Sequence, residues 1–304
     1  MKRQIWLTGA LLILAGATGT ALLVARPAGA DRGGTHDVSL LSPVRLAAMD
    51  DGPLLVSDYT AGSVCMMDRN TLRVLRCFAV EGRPLGVAWS KGRVFVGDET
   101  TGTVAAYNPG GRRLFTFGDT GSLKTPSAMA VDAQGGRLFV VDTANRDIKV
   151  FDLEGRRLST ITGDAAGGGR LVNPVGITVD PARSEVLVSD YGDPATSYPA
   201  RIRIYDYAGN FVLALSGKTG GFSRPQGLFV SGDLIFVADG MLGQVLVFDR
   251  TTLARVRTLG SFGEGPGQLM LPLDVLVDPA SGDVFVTNNR MGRIERFDKG
   301  GLVP

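Results

Sequence analysis

Few residues in this chain could do chemistry on their own. His36 is its single histidine, so no site that needs two imidazoles can form. Serine or cysteine nucleophiles need a well-placed base, and the sequence offers none. The two cysteines, Cys65 and Cys77, are too few for a four-thiolate zinc site. Oxygen donors remain. Asp274, Asn288 and Asn289 could ligate a hard cation such as calcium, and Arg45 could hold a carboxylate. A glycine-rich stretch before Arg170 lacks the lysine and the strand–helix context of a phosphate loop.

Those residues sit in a repeated frame. Proline opens each of six units, at Pro43, Pro84, Pro126, Pro174, Pro225 and Pro272, with spacings of 41, 42, 48, 51 and 47 residues. A short apolar run follows each proline. A second run ends at Asp58, Asp98, Asp142, Asp190, Asp239 and Asn288, and a third at Asp68, Asn108, Asp152, Asp206, Asp249 and Asp298. In five units these two markers lie ten residues apart; the fourth unit has sixteen, an insertion around Gly192 to Ala200. The runs are short, rich in Val, Ile, Leu and Phe, and bounded by turn residues, so they read as β-strands. A Gly or Asn recurs between second and third runs, at Gly62, Gly102, Asn145, Gly243 and Gly292, where a tight hairpin needs left-handed backbone. Most units close with a fourth strand. Four strands per unit of this length make a propeller blade. The expected fold is all-β, a six-bladed β-propeller with blades starting near 43, 84, 126, 174, 225 and 272. The sixth unit stops before its fourth strand, and the segment from His36 to Leu41 is expected to supply it and close the ring.

Residues 1–30 read as an address. Lys2 and Arg3 precede an apolar stretch from Ile5 to Ala25, and an A-x-A pattern ends at Ala30. This is the layout of a cleaved signal peptide, with an uncleaved membrane anchor as the alternative. The expected location is extracytoplasmic, periplasmic or secreted. Without Lys2, Arg3 and Arg26 the formal charge falls from +2 to −1. Nucleic-acid binding is disfavoured, since affinity there comes from neutralising phosphates.

The runs "VGITVD", "VLVSD" and "RIRIYD" resemble NHL repeats, from about Pro43 to the C-terminus. The segment "GSFGEGPGQLMLPLDVLVD" is the best match. The resemblance implies a propeller but not one function, because such propellers include enzymes, sensors and protein- or RNA-binding modules. Exported members that resemble peptidyl-hydroxyglycine lyases bind zinc through several histidines, which this chain lacks. Lactonase-like propellers place acids and amides around an axial cation, where Arg45 would repel it.

Function is expected on the face carrying the long loops, which are the links between blades and the insertion. The recurring Asp residues are expected to be structural, accepting backbone N–H bonds at strand ends. Two residues break the small-residue rule two positions after the proline: Arg45 in blade one and Asp274 in blade six. An ion pair between them at the channel mouth is expected, either to hold a ligand or to fix ring closure. Tyr59, Tyr191 and Arg290 decorate the same rim and suit an interface. Cys65 and Cys77 count to a diagonal offset of about two residues, roughly 7–8 Å, beyond disulfide reach. A strand bulge would bring them together, and export favours oxidation, so a disulfide is expected. The reading is a non-enzymatic binding module for a protein or extended ligand, with Arg45, Tyr59, Tyr191, Asp274 and Arg290 as contacts. No cofactor is expected beyond a candidate Ca2+. The alternative is a metal-dependent lyase or hydrolase with a cation on Asp274 and Asn288.

Overall fold

A computed structural model describes residues 39–50, 52–118, 121–163, 169–196 and 198–301. The leader expected at 1–30 lies outside them, as do His36 to Val38. No helix among the described residues is long and apolar enough to cross a membrane.

Nearly all of the regular secondary structure among the described residues is antiparallel strand. Blade one is Pro43–Ala48, Leu54–Asp58, Ser63–Met67 and Val74–Ala79. Blade two is Pro84–Ser90, Arg93–Asp98, Thr103–Tyr107 and Arg113–Phe117. Blade three is Pro126–Asp132, Arg137–Asp142, Asp147–Asp152 and Arg157–Ile161. Blade four is Pro174–Asp180, Glu185–Asp190, Arg201–Asp206 and Phe211–Ser216. Blade five is Pro225–Ser231, Leu234–Asp239, Gln244–Asp249 and Arg255–Leu259. Blade six has three described strands, Pro272–Val277, Val284–Asn288 and Arg293–Phe297. Each inner strand contacts the next, and that of blade six contacts that of blade one, which closes a ring. Of the outer strand expected from His36 to Leu41, the first three residues lie outside those described, and Ser39 to Leu41 are not in a strand. Leu40, at its end, is buried with Phe285 and Ile294.

One apolar cluster fills each of the six interfaces between blades. Phe95, Phe117 and Phe151 pack between blades two and three, and Phe236, Leu269 and Phe297 between five and six. The aromatic that ends most third strands belongs to these clusters: Tyr107, Phe151, Tyr205, Phe248 and Phe297 are all buried. This explains its recurrence. A blade cannot bury its own faces and must fill them against a neighbour.

Each inner strand also carries a bulge just after its opening proline, where the register with the second strand shifts. The bulge turns a carbonyl away from the ladder. The left-handed residue of the second hairpin is Gly62, Gly102, Gly243 or Gly292 in four blades, with φ of 61 to 63°. In blade three it is Arg146, φ 59°, and not Asn145 as expected. Asn145 instead bonds Asp142 through its amide nitrogen at 2.7 Å.

Cys65 and Cys77 form a disulfide. They are direct partners across the ladder, not diagonal ones, because a bulge between Met66 and Met67 removes the offset.

Candidate binding site

The Asp that ends each second strand is a structural device. Asp58 accepts from the backbone N–H groups of Leu41 and Ser42, at 2.6 and 2.9 Å, and of Ala61 at 3.1 Å. Asp142, Asp190 and Asp239 bind the same link positions in their own blades. Asp98 holds only its following turn, through the N–H groups of Thr100 and Thr101. Asn288 takes the place in blade six: its amide oxygen accepts from Met270 N at 2.8 Å and its nitrogen donates to Gln268 O at 2.9 Å. A buried glutamate, Glu295, lies on the third strand beside it, with Oε1 3.4 Å from the Asn288 nitrogen. Asparagine there avoids a like-charge pair. Blades three and four keep aspartate and place Lys149 and Arg203 at the corresponding position.

The bulged inner strands aim one carbonyl per blade at a neighbour or at the channel, from the residue after the proline. Hydroxyls from the preceding blade satisfy three of the six. Ser57 donates to Leu85 O at 2.7 Å, Ser189 donates to Gln226 O, and Thr287 lies 3.5 Å from Val44 O. The corresponding residues of blades two, three and five are Gly97, Val141 and Ala238, which have no hydroxyl. These leave the carbonyls of Ser127, Val175 and Leu273, and Arg45 takes all three. Its Nε donates to Ser127 O at 3.2 Å, Nη1 to Leu273 O at 2.6 Å, and Nη2 to Val175 O. One guanidinium thus spans the channel and ties blade one to blades three, four and six.

Asp274 is the expected partner. Its Oδ1 lies 3.6 Å from Arg45 Nη1, and its Oδ2 accepts from Leu46 N at 2.9 Å. Both residues lie within the channel rather than at its mouth: their side chains are 6% and 13% exposed. Burial pushes the Asp274 carboxyl up to about 6, against the pull of Arg45. Gly227 allows the approach, since a Cβ there would sit 1.9 Å from Asp274 Oδ1. Arg45 is consumed by carbonyls and is poorly placed to take a ligand. Asp274 and Asn288 are each held by different partners, and a guanidinium beside Asp274 opposes a cation. Among the described residues no three His, Cys, Asp or Glu side chains gather into a metal-binding group.

The long-loop rim carries two matched pairs. Arg83 lies over the Tyr59 ring, 5.3 Å from its centroid, and donates to the Tyr59 hydroxyl at 2.9 Å. That hydroxyl donates to Glu99 at 2.6 Å. Arg224 lies over the Tyr191 ring at 5.1 Å. Each tyrosine follows a strand-end Asp and each arginine precedes the next blade's proline. The pairs bridge blades one–two and four–five, so ring order sets them opposite each other. Tyr59 is buried and Tyr191 half-buried, while Arg83 is exposed. The tyrosines were legible as departures from the repeat. Their arginines were missed, although the residue before each proline was open to the same comparison. Arg290 is exposed on the short helix Asn289–Met291 and stands apart from both pairs. Tyr198, in the insertion, donates to Arg170 O at 3.2 Å and stacks with Arg201 at 5.2 Å.

The comparisons agree with this architecture. No family model matches the chain. It is 32% identical over 137 residues to the human E3 ubiquitin-protein ligase NHLRC1, and 30% identical over 132 residues to the mouse protein of that name. These matches cover 44% and 42% of this chain, and only 32% and 30% of those proteins. A chain of Kuenenia stuttgartiensis hydrazine synthase superposes with a TM-score of 0.64 at 16% identity, covering 89% of this chain and 80% of that one. A chain of a nidogen–laminin complex gives 0.63 at 18%, covering 85% and 89%. At such identities the structures speak for the fold alone. With the six sequence repeats and the closed ring of antiparallel blades, the chain is a six-bladed β-propeller, similar over 137 residues to an NHL-named relative.

Proposed function

We propose that this propeller is an exported, non-enzymatic binding module whose long-loop face takes a protein segment bearing carboxylates. One observation carries the reading: the opposed pairs Tyr59–Arg83 and Tyr191–Arg224. Tyrosine and arginine dominate interface energetics. Here each arginine is already held on a ring, which lowers the entropy cost of ordering it on binding. Arg290 adds a third cation to the same rim. Export is supported by the leader pattern of residues 1–30 and by the Cys65–Cys77 disulfide, which suits an oxidising compartment. The metal-dependent alternative has no geometric support, because Asn288 is taken up by backbone groups and the Arg45 guanidinium beside Asp274 opposes a cation.

The test is capture from the native cell envelope by the wild-type protein and by the double variant Arg83→Ala/Arg224→Ala. Each arginine is expected to contribute about thirtyfold in affinity, the lower end of an interface hot spot. Partners retained by the wild type and lost by the double variant support the reading. Identical capture by both sinks it.

A further inference from the structure

Behind the Arg45 crossbar the channel widens into a cavity of about 380 Å3 that opens toward the short-turn face, away from the rim just described. Every blade contributes the later half of its inner strand. The walls are mostly apolar, including Ala47, Trp89, Met129, Ala130 and Phe229, with Thr178 the other polar side chain besides Asp274. Trp89 and Phe229 are half-exposed, and Trp89 is held by a hydrogen bond from its indole N–H to Asp50 at 2.9 Å. Asp274 is the one charged residue in this lining, and it lies at the inner end beside the crossbar.

The chemistry of that end selects a ligand. An ionised carboxylate has about four acceptor positions. Asp274 accepts from the backbone N–H groups of Leu46, at 2.9 Å, and Val275, while Arg45 stands 3.6 Å off and gives its N–H groups to carbonyls, so two of those positions are filled by the backbone. Acceptor capacity therefore remains on a side chain that borders an apolar cavity. The charge there is already balanced by Arg45. A cationic ligand would leave an uncompensated positive charge in a poorly solvated place, and an anion would meet Asp274. We propose that this cavity binds a small, neutral, apolar molecule bearing one hydroxyl or N–H donor, which bonds Asp274 while its body packs on the channel wall.

Trp89 reports on this site. The other tryptophan is Trp6, so the full chain carrying Trp6→Phe has one emitter, at the cavity. Titration with 1-octanol at pH 7.5 should change its emission saturably. The isosteric ether 1-methoxyheptane, octylammonium and octanoate should each bind at least tenfold more weakly. Ala130→Phe, which narrows the cavity, should abolish the octanol response in a protein with native circular dichroism. Asp274→Asn, which keeps a weaker acceptor, should reduce octanol affinity several-fold and flatten its pH dependence. In the wild type that affinity should fall as pH drops from 7.5 to 5. Equal binding of alcohol and ether, tighter binding of octylammonium, or no saturable response to any probe would overturn the proposal.

Discussion

Arg45 donates to carbonyls on three blades other than its own, so its loss is felt across the ring. Arg45→Met would leave three buried carbonyls without donors and Asp274 without its countercharge. A cost of about 3–5 kcal/mol is expected, the scale for breaking one side of a buried pair. Reversing both charges should not restore stability, because an arginine at 274 starts from another blade and cannot reproduce these three bonds. Denaturant unfolding of the single and double variants decides this. Asp274 has its own signature. Its carboxyl is raised to about 6 in the fold, and Arg45 is the charged group that faces it. A raised carboxyl binds its proton more readily when folded. Its contribution is therefore full below the unfolded value and is lost as pH rises through 6. Hydrogen bonds from Thr71, Asn210 and Thr252 hold Asp68, Asp206 and Asp249 below the usual range, so these act at lower pH. Asp147 is raised by burial as well, so the comparison must be with Asp274→Asn. From pH 5 to 7.5 the wild type should lose stability relative to that variant. A difference that stays constant across this window would refute the assignment.

At the scale of elements, one position of the second strand decides how a blade meets the next. Serine or threonine there caps the neighbour's bulged carbonyl, and Gly97, Val141 and Ala238 do not. Ala238→Ser should therefore return about 1 kcal/mol to an Arg45→Met protein, by offering Leu273 O a hydroxyl. It should return nothing to the wild type, where Arg45 already serves that carbonyl. Thermal unfolding of the four proteins forms the cycle that measures it. The outer hairpin of blade one offers a second test. Its disulfide closes a loop with a sequence separation of 12, and such a loop is worth about 3 kcal/mol in the chain-entropy account. Replacing both cysteines by serine should lower stability by about that amount and leave the fold unchanged. A variant as stable as the parent would show that the bridge constrains little.

Over the whole molecule, blades one and four share a feature that the other blades lack. Both carry Ser-Asp-Tyr at the end of the second strand, at Ser57 to Tyr59 and Ser189 to Tyr191, and each tyrosine meets an arginine from the following blade. The two matched pairs are half a ring apart, which suits a partner that lies across the channel. Arg45 separates this end from the apolar cavity at the other. The two faces should therefore act independently. Arg83→Ala/Arg224→Ala should leave octanol affinity unchanged, and Ala130→Phe should leave envelope capture unchanged. Coupling between them, seen in either cross-experiment, would show that the crossbar moves.

The six prolines, the strand-end acids and the ten-residue offset determined the all-β fold, the blade count and the structural role of the repeated Asp residues. Those features are local and periodic, and each repeat imposes the same backbone demands, so they can be read in one dimension. The Arg45–Asp274 contact was legible for the complementary reason: both residues break a pattern, in units that ring closure makes neighbours. What Arg45 does there was decided only in three dimensions. Its partners are main-chain carbonyls from residues 82, 130 and 228 positions away, and a carbonyl carries no trace in the sequence of where it points. The cysteine register followed the same rule, since a bulge moves a strand by one residue without marking it. Arg83 and Arg224 became a paired feature only when the ring set each beside a tyrosine from the blade before.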